Sequence, residues 1–171
     1  MRRIAWLRCG MMGALLVSGT VAVAQEPSKE QAALATALRS KHVALTTGLK
    51  AAATKGKPIS AKYEYEDSKL QLSVYTETNG QFSEVVVNHH TGKVAKTEKI
   101  TNGDDLTAAQ TQSAAIAKGK ASLATAVAKA LAANKGYGAV SATAAMRDGQ
   151  PVAEITLIKG KEFKSVTEPL S

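Results

Sequence analysis

Cysteine is almost absent from this chain of 171 residues: Cys9 is the only one. It lies inside an amino-terminal segment that carries Arg2, Arg3 and Arg8, then an apolar stretch from Met11 to Val17, then small residues ending Val21-Ala22-Val23-Ala24. That order of basic, apolar and small residues is the layout of a cleavable secretory signal. The apolar stretch is short of the roughly 20 residues a membrane-spanning helix needs. Residues 1–24 are therefore expected to be a signal peptide cut after Ala24, leaving no stable membrane anchor. An acylated lipoprotein cysteine would follow the apolar run, and Cys9 precedes it. The mature chain then has no thiol, which excludes a disulfide framework, a thiolate metal site and a cysteine nucleophile.

Aromatic residues are also scarce, at 4%, and arginine is not clustered. Losing Arg2, Arg3 and Arg8 from the 22 basic residues leaves 19 against 14 acidic ones, a net charge of +5 for the mature protein. The basic residues are mostly lysines spread along the chain, whereas nucleic-acid binding calls for a focused basic stripe. No nucleic-acid partner is expected. Periplasmic or secreted localisation follows from the signal.

What is present is an internal register. In one ungapped alignment of the chain with itself, Ile59-Ser60-Ala61 falls on Val140-Ser141-Ala142, Asp67 on Asp148, Val74 on Ile155, Phe82 on Phe163 and Val85 on Val166. Ser28 with Gln31 has the spacing of a capping box, and Leu34, Leu38, Leu45 and Leu49 recur on one face of a helix that ends before Gly56 and Pro58. Period-two alternation then begins at Ile59, breaks at Glu66-Asp67-Ser68-Lys69, resumes through Leu70, Leu72 and Val74, and turns at Asn79-Gly80 into a third strand, Phe82 to Val87. In the second copy Thr107 with Gln110 caps a helix whose stripe is Ile116, Leu123, Val127 and Leu131, bent at Gly119. Asp148-Gly149 and Lys159-Gly160 supply its turns. The expected fold class is α+β: two repeats, each a helix packed on a three-stranded antiparallel β-meander. The divisions are 1–24 signal peptide, 25–100 first repeat, 101–108 linker and 109–171 second repeat. A unit of about 70 residues buries little of its surface alone, so the copies are expected to pack together, with two beads on a hinge as the alternative.

The segment Val85-Val86-Val87-Asn88-His89-His90-Thr91-Gly92-Lys93-Val94, read with the helix and meander before it, resembles the PepSY domain family. That family's last strand commonly ends in an Asp-x-x-Thr-Gly-x-Val turn; Asn88 stands here in the place of Asp. The second copy ends Val166-Thr167-Glu168-Pro169 without the Thr-Gly turn. The resemblance implies a non-enzymatic module of exported proteins, related to a segment of metallopeptidase propeptides that restrains peptidase activity. Restraint by this chain would act on a separate molecule.

The residues themselves offer little chemistry. His89 and His90 are the candidate metal ligands, with Glu84 or Glu98 as helpers; adjacent histidines share one ion only in a turn. His42 reads as a boundary residue capping the core. Glu64 and Glu66 share a strand face and read as the solvent side. Gly136-Tyr137-Gly138 lacks the strand and helix of a phosphate loop, and no nucleophile elbow is present. No enzyme and no cofactor are expected. Tyr63, Tyr65 and Tyr75 divide between core and recognition surface, and a meander's edge strand can accept an extended peptide, with Lys93, Lys96 and Lys99 guarding one edge. Two functions follow: a binding module for a protein or peptide partner in the cell envelope, modulating or inhibiting a peptidase or sensing that partner, or a metal- or small-ligand-binding accessory protein using the His89-His90 turn.

Overall fold

The computed structural model describes residues 28–171; the signal segment 1–24 lies outside them. Ser28 opens the first helix, α1 (Lys29–Ala37). Its hydroxyl accepts the Gln31 N–H at 3.2 Å and its own N–H donates to the Gln31 side chain at 3.0 Å, the reciprocal capping box.

The helix stops early. Leu34 and Leu38 belong to α1 and its C-cap, while Leu45 and Leu49 belong to a separate helix, α2 (Leu45–Ala52). The expected single helix is corrected to two, and the step from Leu38 to Leu45 spans the break. Tertiary bonds hold the connecting loop: the Val43 N–H donates to the His89 carbonyl at 2.8 Å, and the Tyr63 hydroxyl donates to the Val43 carbonyl at 2.6 Å.

Four strands follow: β1 (Lys57–Glu66), β2 (Lys69–Thr78), β3 (Gln81–Val87) and β4 (Val94–Ile100). β4 is the strand the meander reading lacked. It pairs on one side only, so it needs no apolar alternation, and Lys96, Thr97, Glu98 and Lys99 are all exposed. Next come α3 (Gly103–Lys118) and α4 (Leu123–Ala133), then β5 (Gly138–Arg147), β6 (Gln150–Lys159) and β7 (Glu162–Pro169). Residues 103–108, expected in a linker, are the first turns of α3, whose N-cap is Asn102 rather than Thr107. Gly119 does more than bend this region: it ends α3, and Ser122 caps α4 by accepting from the Thr125 N–H.

The seven strands form one antiparallel sheet in the order β4-β3-β2-β1-β5-β6-β7. The fold is mixed α+β, with two helices rather than one ahead of each run of strands. The halves join where Ser60, Ala61 and Lys62 pair with Thr143, Ala142 and Ser141. Both alanines at the centre of that junction, Ala61 and Ala142, are fully buried.

Strand register assigns the faces. Tyr63 lies opposite Leu72, and α2 packs there so closely that a Cβ on Gly48 would stand 2.5 Å from a Leu72 methyl carbon. Tyr75 lies opposite Glu84 on the other face. There the Asp105 carboxylate, in the first turn of α3, accepts the Tyr75 hydroxyl; burial first, and this carboxylate second, push the phenol well above its ordinary range. α2 touches α4, and α3 packs across β1, β2, β5 and β6. Apolar residues of both halves form one continuous core, from Leu45, Leu49 and Tyr63 to Leu123, Ile155 and Leu170.

Candidate functional site

The turn between β3 and β4 is built by Asn88. Its side-chain oxygen accepts the His90 N–H at 3.0 Å and the Thr91 N–H at 2.9 Å, while the Gly92 N–H donates to the Asn88 carbonyl at 2.8 Å. Only the acceptor oxygen is needed, which is why Asn serves where Asp is common. Gly92 takes φ +71°, and a Cβ there would lie 2.8 Å from the Thr47 methyl carbon of α2. The Thr91-Gly92 pair thus lets the turn close against the helix layer.

All three histidines contribute to this corner. The rings of His89 and His90 stand 4.1 Å apart between centroids. His90 reaches the Lys41 carbonyl at 2.9 Å through Nδ1, and His42 reaches the Ser40 carbonyl at 2.8 Å through its own Nδ1. A carbonyl only accepts, so both rings carry the proton on Nδ1. His42 is exposed in the α1–α2 loop, edge-on to Tyr63 at 5.5 Å, and is not the core-capping helical residue expected. Burial, then His90 and His42, hold the His89 imidazole below its ordinary pKa. The carboxylates suggested as helpers are engaged elsewhere: Glu84 accepts from the Ser73 hydroxyl at 2.7 Å, and Glu98 pairs with Lys96 at 2.7 Å. Among the described residues no three His, Cys, Asp or Glu side chains are grouped to hold a metal ion.

Tyr63 and Glu64 of β1 and Tyr75 of β2 are buried, and Glu66 is exposed. Tyr63 and Tyr75 are buried on opposite faces, while Tyr65 is half-buried. Burial pushes the Tyr63 phenol up to about 12. Glu64 is not on the solvent side as expected; it is buried, with one oxygen 3.0 Å from the Lys62 ammonium and the other without a partner. Burial raises its pKa, and Lys62 opposes the rise.

Sequence reasoning missed a groove between α3 and β5. It has a volume of about 610 Å³ and is lined by Asp104, Thr107, Thr111 and Gln112 on the helix side and by the strand residues Thr143 to Met146. The signal was the run of small residues in β5, Ser141, Ala142, Ala144 and Ala145, where β1 carries Tyr63 and Tyr65.

Residues 28–98 match the PepSY family, described as "Peptidase propeptide and YPEB domain". The matched segment runs from α1 into β4 and includes the histidine turn. No curated protein matches the chain. The solved structure of a candidate lipoprotein from Clostridium difficile is similar over 72% of this chain and 81% of its own, at 15% identity and a TM-score of 0.39. A likeness that weak carries no argument.

Proposed function

We propose that this protein is an exported, non-enzymatic binding module that modulates a peptidase or senses a protein or peptide partner in the cell envelope. The observation that carries the reading is the PepSY segment at residues 28–98. Its sheet continues into β5 to β7, which gives the domain a rigid backing, and both sides of its β1–β3 meander are already paired, by β4 and by β5. Strand addition at the meander itself is therefore blocked, and recognition falls to other surfaces. The titratable side chains support a binding role rather than a catalytic one: Glu64, Glu84, His42 and His90 each bond a structural partner. The amino-terminal signal layout supports periplasmic or secreted placement. No helix among the described residues is long and apolar enough to cross a membrane. The proposal also holds that the second half is a PepSY-like repeat, because β5 and β6 begin and end where the repeat register sets the ends of β1 and β2.

The test is peptidase activity in the host's secreted and envelope fractions, measured with and without added purified protein. A dose-dependent change in the rate is expected; unchanged rates in every fraction overturn the regulatory reading. A second reading, metal or small-ligand binding at His89 and His90, is favoured by their two rings standing 4.1 Å apart in the turn. It requires tight copper or zinc titration that His89→Ala with His90→Ala abolishes.

A further inference from the structure

One edge of the sheet is open. β4 is paired with β3 on one side only, and Lys96, Thr97, Glu98 and Lys99 are all exposed. Over residues 96–100 it pairs with β3 residue for residue, from Val86 opposite Lys96 to Phe82 opposite Ile100, and the extra residue Ala95 marks a bulge near its start. The backbone N–H and C=O groups that turn away from β3 along this stretch are a template for another strand. Lysines on an edge discourage such addition, but the Lys96 ammonium is paired with Glu98, two residues on, at 2.7 Å. The opposite edge, β7, is less open: Pro169 has no N–H to donate, and the Lys164 ammonium is held by the Asn134 side chain at 2.7 Å.

The order of charges along β4 selects its partner. When two copies of one strand pair antiparallel about a two-fold axis, facing residues lie on the same side of the sheet, so the axis passes through a residue. An axis at Lys96 sets Lys96 on Lys96, one at Glu98 sets Glu98 on Glu98, and one at Lys99 sets Lys99 on Lys99. Like charges directly opposite destabilise a sheet. An axis at Ala95 falls on the bulge. An axis at Thr97 instead sets Lys96 on Glu98 and Glu98 on Lys96, with Lys99 on the small Ala95. It also answers a like-charge contact within the chain: Glu98 stands opposite Glu84 of β3, and Lys96 of the second copy would flank Glu98 from the other side. The two halves of the sheet already join by a short antiparallel contact of this kind, Ser60, Ala61 and Lys62 on Thr143, Ala142 and Ser141.

We infer that β4 pairs with β4 of a second copy of this chain about a two-fold axis at Thr97, making one continuous sheet with seven strands from each copy. The inference goes beyond the binding-module reading and stands without it. Backbone hydrogen bonds across the edge supply the attraction, and the facing Lys96 and Glu98 charges fix the register.

The test is sedimentation equilibrium of the purified protein over a wide range of concentration, with amide shifts in NMR to locate the contact. A reversible equilibrium of monomer and dimer is expected, with concentration-dependent shifts at residues 95–99. Lys96→Glu and Glu98→Lys each set like charges across the axis at exposed positions. Each alone is expected to weaken dimerisation about tenfold or more, with the circular dichroism spectrum unchanged. Mixed together, the two variants are expected to recover the lost affinity as a heterodimer, because every facing pair is again opposite in charge. The double variant, Lys96→Glu with Glu98→Lys, is expected to recover it alone. A protein that stays monomeric at every concentration, a dimer indifferent to both single variants, variants that do not rescue each other, or shifts confined to β7 overturn the inference. Open-ended growth beyond a dimer overturns it as well, since that requires two different surfaces in each contact.

Discussion

The two halves use the same chain register to opposite ends. At the strand turn of the first half, the His89 carbonyl receives the Val43 N–H. The repeat register sets Leu170 on His89, and there the Leu170 carbonyl receives the Ala121 N–H at 2.9 Å. One half closes its helix-connecting loop with a half-buried imidazole, the other with a fully buried leucine. On the face that α3 covers, the leading strands differ too: buried Glu64 in β1 stands where β5 has Ala145. The first half is thus filled and polar at its corner, and the second is plugged at its end and hollow beside α3. Equivalent backbone positions do not imply equivalent surfaces. Side-chain volume and desolvation decide which half has room for a ligand.

Removing the plug should have the largest effect on this contrast. Leu170→Ala is expected to cost about 2–5 kcal/mol, the range for emptying a buried leucine site, read from the denaturant midpoint. Gly48→Ala should cost about 1–3 kcal/mol, since its Cβ would overlap Leu72 at 2.5 Å and an overpacked core has little room to yield. Tyr63→Phe, which strips the hydroxyl from the Val43 carbonyl, should cost about 0.5–1.5 kcal/mol and raise amide exchange in the α1–α2 loop.

Two pH measurements probe the same difference. His89 has a lowered folded-state pKa, so below the ordinary histidine pKa the unfolded chain binds more protons and stability falls as pH falls. His89→Leu, which copies the corresponding residue of the second half, should flatten that acid-side decline in a series of melting curves. Glu64 is the opposite case. Its raised pKa means the folded chain holds its proton longer, so stability declines as pH rises from the ordinary carboxylate value through the folded one. Glu64→Gln should remove this decline and leave the protein at least as stable at neutral pH. The smallest effect belongs to the exposed edge pair: Lys96→Ala should change stability by less than about 1 kcal/mol, because a solvated ion pair contributes little.

Much of the chain path was legible beforehand because its signals are local. The Ser28-Gln31 box, the Asn79-Gly80 turn and the Asp148-Gly149 turn each act within a few residues, and each appears where its chemistry placed it. β4 was not legible, since an edge strand with one neighbour has no apolar face to advertise. The break between α1 and α2 was hidden as well: Leu38 and Leu45 keep helical phase across it, and the bonds that hold the loop come from His89, His90 and Tyr63, far along the chain. At the candidate sites, spacing brought His89 and His90 into one turn but gave no reason to place His42 beside them. The groove needed α3 and β5 together, and only the run of small residues in β5 hinted at it.

The periods come from the sequence alone: leading strands that recur in one register, helices ahead of each run of strands, and the turn residues that join them. These follow from side-chain alternation and backbone sterics, which need no distant partner. Only tertiary packing settled that the halves share one sheet through three residue pairs, that Glu64 is desolvated and Glu84 engaged, and that a cavity opens beside Gln112. Burial and its electrostatic consequences depend on what packs against a residue, and that neighbour is set by the fold.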